Sequence, residues 1–148
     1  MIIFVSVNLK RLFKRQHKYP WPRPGVCPQC RIGGLWGHGF VLAYFDELPA
    51  GVLLRRYRCP HCGCVIRLRP KGFFPRFQAS IATIRSSLAR RVAGGSYLAG
   101  IATRRQRHWL RGLIGNVTAH LGTHWRGRLI EGFDALMAAG YVPVSRAV

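Results

Sequence analysis

Four of the five cysteines fall into two pairs, Cys27-Pro28-Gln29-Cys30 and Cys59-Pro60-His61-Cys62, the second followed by Gly63. A C-x-x-C turn lets two thiolates reach one ion. Proline and glycine favour the tight knuckle in which backbone N–H groups point at the sulfurs. Two such knuckles supply the four soft, tetrahedral ligands that Zn²⁺ accepts, so Cys27, Cys30, Cys59 and Cys62 read as one zinc site. An iron–sulfur cluster would use the same ligands. Two redox dithiols fit worse, because no βαβ pattern surrounds either pair. A disulfide frame fits worse still, given the odd cysteine count and no visible export signal. Cys64 reads as a small, partly buried strand residue, with a sharper alternative in which it replaces Cys62 as a ligand. His38 and His61 lie near the site, but four thiols already fill its shell.

The second chemistry is that of guanidinium groups. The 148 residues carry a formal charge of +20, from 24 Lys and Arg against four acids, and twenty of those bases are arginine. Between Glu47 and Glu131 there is no carboxylate. Such a stretch cannot neutralise itself, and its self-repulsion is best relieved by a polyanion. Arginine suits forked contacts with phosphate and guanine. The densest run is Arg104-Arg105-Gln106-Arg107-His108, with Arg111 one helical turn on. At the start of a helix these residues match the major-groove code, arginine for guanine and glutamine for adenine. A basic helix start also opposes the macrodipole, which favours acids there.

Elements must position both chemistries. Gly39–Phe45 and Val52–Arg58 are rich in aromatic and β-branched residues and flank a turn over Asp46–Gly51, which predicts a hairpin. Val65–Arg69 alternates apolar and basic and adds a third strand. Arg56 and Arg58 share one face of their strand, as do Arg67 and Arg69 of theirs, either as phosphate contacts or as a solvated edge. From Phe77 the period changes: Phe77, Ile81, Ile84, Leu88 and Val92 form a helical stripe that Gly94-Gly95 ends. Ser96 would cap a short helix over Tyr97–Ala102, and Thr103 with Gln106 fits a capping box for a helix to about Leu121. That order outlines a helix-turn-helix, with Trp109 anchoring the last helix to the core. Leu129, Ile130, Phe133, Leu136 and Met137 form the apolar face of a C-terminal helix ended by Gly140; it packs on the helical module or, alternatively, makes a homodimer contact.

The fold class expected is therefore α+β: a basic arm over 1–24, a three-stranded zinc ribbon over 25–74, a helix-turn-helix-like module over 75–127, and a C-terminal helix and tail over 128–148. In the arm, Pro20, Pro22 and Pro24 favour an extended path, with Tyr19 and Trp21 packed on the ribbon or, alternatively, stacked on bases. The apolar start Met1–Val7 is followed, not preceded, by basic residues and is too short to span a bilayer. A cytoplasmic, membrane-free protein is expected.

The pieces Cys27–Cys30, Leu35-Trp36-Gly37-His38-Gly39 and Arg56-Tyr57-Arg58-Cys59-Pro60-His61-Cys62-Gly63 together resemble the zinc ribbons that begin insertion-sequence transposases and their helper proteins. They are similar also to a bacterial domain family of unknown function found in mobile-element-associated proteins. The likeness covers about residues 20–75, and 76–121 only in outline through Arg104–Leu110. It implies a DNA-binding, nucleoid-associated protein tied to transposition, a transposase subunit as partner, and the same four cysteine ligands. It carries over no catalytic residue. A transposase core needs three well-separated carboxylates to hold its metal ions, whereas this chain has Asp46 and Glu47 in one turn and Glu131 and Asp134 on one helix. No phosphate-binding glycine loop is present, Ser80, Ser86 and Ser87 lack evident catalytic partners, and His120 and His124 have no carboxylate between them. The chain is thus read as a non-catalytic binder of double-stranded DNA, with an RNA- or ribosome-associated zinc protein as the alternative.

Overall fold

A computed structural model describes residues 1–146. Among these residues the fold is α+β, with a four-stranded mixed sheet and four α-helices. The chain divides into two compact units, one over Met1–Ser80 and one beginning at Ile81.

The first unit holds the sheet, in the order β1-β4-β3-β2, with β1 Ile2–Val5, β2 Trp36–Ala43, β3 Val52–Arg58 and β4 Val65–Pro70. β2, β3 and β4 are the expected antiparallel strands. The fourth strand corrects the three-stranded expectation: β1 pairs in parallel with β4, setting Ile3 against Leu68 and Val5 against Pro70. The arm is also not a free extension. Asn8 caps helix α1, Leu9–Arg15, its side-chain oxygen accepting the Arg11 N–H at 3.1 Å. Leu12 buries itself with Phe45, Val52, Leu54 and Phe73, which ties the helix to the sheet. Seven residues is short for a helix with little propensity signal, and here burial of one apolar side substitutes for length. Tyr19 and Trp21 pack against the core edge-to-face, 5.2 Å apart.

The second unit contains α2 Ile81–Gly94, α3 Thr103–His120 and α4 Leu129–Ala138. α2 starts four residues later than its apolar stripe suggests, so Phe77 lies outside it. Ile84, Ser87 and Leu88 are buried, whereas Val92 is exposed. α4 packs as expected: Phe133 and Leu136 are fully buried, and Gly132 lies against Val117 of α3. A Cβ at Gly132 would meet the Val117 methyl at 2.9 Å, so this glycine permits the close helix approach. The chain over Tyr97–Ala102 forms turns instead of the expected short helix. Its backbone is claimed by another group: the Gln106 amide accepts the Leu98 N–H at 2.9 Å and donates to the carbonyls of Leu98 and Ile101. No helix among the described residues is long and apolar enough to cross a membrane.

Candidate metal centre and basic surfaces

The two cysteine knuckles are near-copies. In the first, the Cys27 N–H donates to the Ile32 carbonyl at 2.8 Å and the Arg31 N–H to the Cys27 carbonyl at 2.8 Å. In the second, the Cys59 N–H donates to the Cys64 carbonyl at 2.9 Å and the Gly63 N–H to the Cys59 carbonyl at 3.0 Å. Equivalent residues, Arg31 at φ 66° and Gly63 at φ 76°, make the left-handed step that closes each turn. The second knuckle follows directly on β3; the first leads through Leu35 into β2. Strand pairing therefore brings the knuckles together, and Cys27, Cys59, Leu35, Tyr57, Ile66 and Leu68 share one buried cluster.

The four sulfurs of Cys27, Cys30, Cys59 and Cys62 lie within 4.8 Å of one another, with Cys27–Cys62 at 3.6 Å and Cys30–Cys59 at 3.5 Å. A tetrahedral ion with metal–sulfur bonds of about 2.3 Å requires ligand separations of roughly 3.8 Å. The two short contacts need to open by only about 0.2–0.3 Å, and no pair needs to close by more than about 1 Å, for the cluster to hold a metal ion. Each short contact pairs a lowered thiol with a raised one. Cys27 is lowered to about 6, first by the Cys30 backbone N–H, against desolvation. Cys59 is lowered chiefly by the Cys62 backbone N–H. On Cys30 the Ile32 backbone N–H lowers the pKa, but desolvation and the Cys59 and Cys27 side chains outweigh it, so the thiol is raised. On Cys62 the Cys64 backbone N–H is likewise outweighed by desolvation and the neighbouring thiols, which push it up to about 12. One sulfur of each pair is thus the easier of the two to ionise, and an entering cation displaces the protons that remain. Cys64 stays outside this set; its Sγ lies 3.8 Å from the Val65 carbonyl. His38 and His61 are not in the cluster, and neither are His120, which stacks on Tyr141 at 4.1 Å, and His124.

The sequence-predicted basic residues divide into used and offered. Arg69 is buried: its guanidinium donates to the Phe74 and Phe77 carbonyls at 3.1 and 2.6 Å and lies over the Phe45 ring. Burial, with Arg67 nearby, pushes its pKa down. It closes the end of the core and is not presented to a ligand. Arg58 and Arg67 are exposed, and Arg56 is half-buried with its Nε lacking a hydrogen-bond partner. Arg55, which the sequence did not single out, stacks over Phe40 and Tyr57, and Arg23 covers Tyr57 as well. Gly37 leaves the space that the Arg55 guanidinium fills, which gives one glycine of the Trp36–Gly39 run a local reason.

On α3 the same division holds. Gln106 is buried and receives the Ser87 hydroxyl at 2.7 Å in addition to its bonds with Leu98 and Ile101. It is a joint between α2, the 95–102 turn and α3, so the reading of Gln106 as an adenine contact is corrected. The capping box fails for the same reason: Ala102 is the cap residue, without a side-chain bond. Trp109 is buried, as expected of an anchor, with Arg105 over its ring at 5.3 Å. Arg104, Arg107, His108 and Arg111 are exposed. Arg107 bonds the Tyr97 hydroxyl at 3.1 Å and shares that ring with Arg91. An open groove of about 360 Å³ is lined by His108, Arg111, Gly112 and Arg146. Arg146 was not foreseen. Asn116, buried on α3, reaches the Pro143 and Ser145 carbonyls at 3.0 and 2.6 Å and holds the tail that carries it. A polar residue at an interior helical position was the available signal. No protein-family model matches the chain, and no curated protein or solved structure matches it either.

Proposed function

We propose that this chain is a zinc-stabilised protein that binds double-stranded DNA without catalysing its reaction, as a helper or regulator of a mobile element working with a transposase subunit. The observation that carries the DNA reading is the exposed stripe Arg104, Arg107, His108 and Arg111 on α3. These positions follow i, i+3, i+4, i+7 and so share one helical face. The opposite stripe, Gln106, Trp109, Leu113, Asn116 and Val117, is buried. α3 has no acid of its own to neutralise the exposed face. Such a surface gains affinity when its guanidinium groups neutralise phosphates and release the cations condensed on the nucleic acid. Four sulfurs no more than 4.8 Å apart suit a single ion, and zinc is proposed for it as the common occupant of a closed structural set of four cysteines; metal analysis of the purified chain separates it from a single iron, which takes the same ligands. The transposition link rests on the ribbon's resemblance alone.

The test is binding of the zinc-loaded chain to a duplex DNA library and to structured RNA over a salt series. The expected result is tighter binding to duplex DNA. Arg104→Ala and Arg107→Ala should each relax sequence preference and reduce the magnitude of the salt slope by about 0.9 per lost phosphate contact. Equal losses on every sequence would make the contact nonspecific, and tighter binding to structured RNA would replace DNA by RNA. Cleavage or joining of DNA by the purified chain with Mg²⁺ would overturn the non-catalytic reading.

A further inference from the structure

One face of the sheet is covered at one end and open at the other. Val52 and Leu54 of β3 are buried under Leu12, Phe45 and Phe73, and Arg69 of β4 lies on this face against Phe45. Towards the cysteine knuckles the covering stops. There Trp36 of β2 stands opposite Arg58 of β3, and Arg58 opposite Val65 of β4. In the adjacent row Arg56 stands opposite Arg67, and Arg67 opposite Ile2 of β1. Directly opposed residues share a face, so an indole and three guanidinium groups form one contiguous surface. Trp36 is 64% exposed, the largest exposure among the bulky apolar residues described.

Stability does not explain this arrangement. Like charges placed directly opposite destabilise a strand pair. Among the described residues no carboxylate pairs with Arg56, Arg58 or Arg67, and the Arg56 Nε is buried without a partner. An exposed indole beside unpaired guanidinium groups is the composition of a stacking platform flanked by phosphate contacts. The face of an indole can be covered by a base only when that base has left its own stack, which a duplex does not allow.

We propose that this open end binds an unpaired nucleic-acid strand: one base stacks on Trp36, and the flanking phosphates are held by Arg58, Arg56 and Arg67. The proposal rests on the nucleic-acid reading above and adds a second site with a different preference. α3 takes the duplex and the sheet takes a strand that has left it. The metal centre sets this platform, because Arg58 immediately precedes the ligand Cys59 and Trp36 immediately follows the buried Leu35.

The experiment measures fluorescence anisotropy of the full, zinc-loaded chain with a labelled oligothymidylate strand and with a duplex of the same length. Trp36→Ala should weaken strand binding about tenfold and leave duplex binding unchanged, whereas Trp36→Phe should retain most of it. Arg67→Glu replaces the like-charge pair by an ion pair, so it should raise the melting temperature while lowering strand affinity. A variant with Arg104, Arg107 and Arg111 all changed to Ala should lose duplex binding and keep the strand. If Trp36→Ala and Arg67→Glu leave strand binding intact, or weaken both substrates equally, the platform is wrong. Wild-type binding to duplex alone overturns the platform and leaves the α3 reading standing. Binding to neither overturns both.

Discussion

Arg31 and Gly63 occupy matching positions in the two knuckles, and only one of them suits the backbone found there. A residue with a Cβ at left-handed φ costs about 1–2 kcal/mol relative to the right-handed form. Glycine avoids that cost, although its freer unfolded chain returns about 0.4–1 kcal/mol. Arg31→Gly should therefore stabilise the metal-bound first unit by roughly 0.5–1 kcal/mol. Gly63→Ala applies the same two terms with opposite sign and should destabilise it by about 1 kcal/mol. A Cβ at Gly63 meets nothing within 4 Å, so that loss is conformational and not steric. Denaturant midpoints of the zinc-loaded protein check both signs. The cysteine cluster itself was legible in the sequence because C-P-x-C spacing specifies the turn locally. The left-handed step at Arg31 was not, since nothing about an arginine announces a positive φ.

At the level of elements, α3 shows why composition misassigns individual residues. Its basic start predicts a row of contacts, yet the helix must also bury one side against α2 and α4. Gln106 falls on that side and meets Ser87, Leu98 and Ile101. Replacing it by Leu would leave the buried Ser87 hydroxyl and the part-buried Leu98 N–H and two carbonyls without this partner, at a cost of about 2–4 kcal/mol. The expected outcome for Gln106→Leu is a lower urea midpoint with faster amide exchange at the start of α3. Contact with DNA bases would instead appear as altered sequence preference at unchanged stability. By contrast, the exposed Arg85–Asp134 ion pair at 2.8 Å between α2 and α4 adds little, because water screens it.

For the whole molecule, the division into two compact units, with the cysteine cluster in the first, makes metal removal selective. Among the described residues all four candidate ligands lie in the first unit. A strong chelator should unfold the strands of that unit while the helical circular dichroism of α2–α4 persists, and added Zn²⁺ should restore the rest. Acid acts in the same direction. Cys27 is depressed from 9.0 to about 6, so its thiolate contribution is complete above the ordinary thiol value and is lost as pH falls through about 6. Apparent zinc affinity, measured by competition with a chromophoric chelator on either side of that pH, should fall on the acid side. A single cooperative loss of all secondary structure on chelation would contradict selective unfolding of the first unit.

Spacing and composition were enough to establish the cysteine cluster, the hairpin of β2 and β3, the strand β4, the C-terminal helix and the unrelieved positive charge. All of these are local in origin: turn chemistry, alternation of period two, a 3.6-residue stripe, and a simple count of ionised groups. Whether a given arginine faces solvent or core was a different kind of question. Arg69 and Arg67 lie two residues apart on one strand face, and only the packing of Phe45, Phe74 and Phe77 buries the first and leaves the second open. The parallel pairing of β1 with β4 and the groove that Arg146 lines together with Arg111 join segments distant in the chain. Tertiary structure decided them, because long-range contacts depend on which surfaces remain unburied after the local elements have formed.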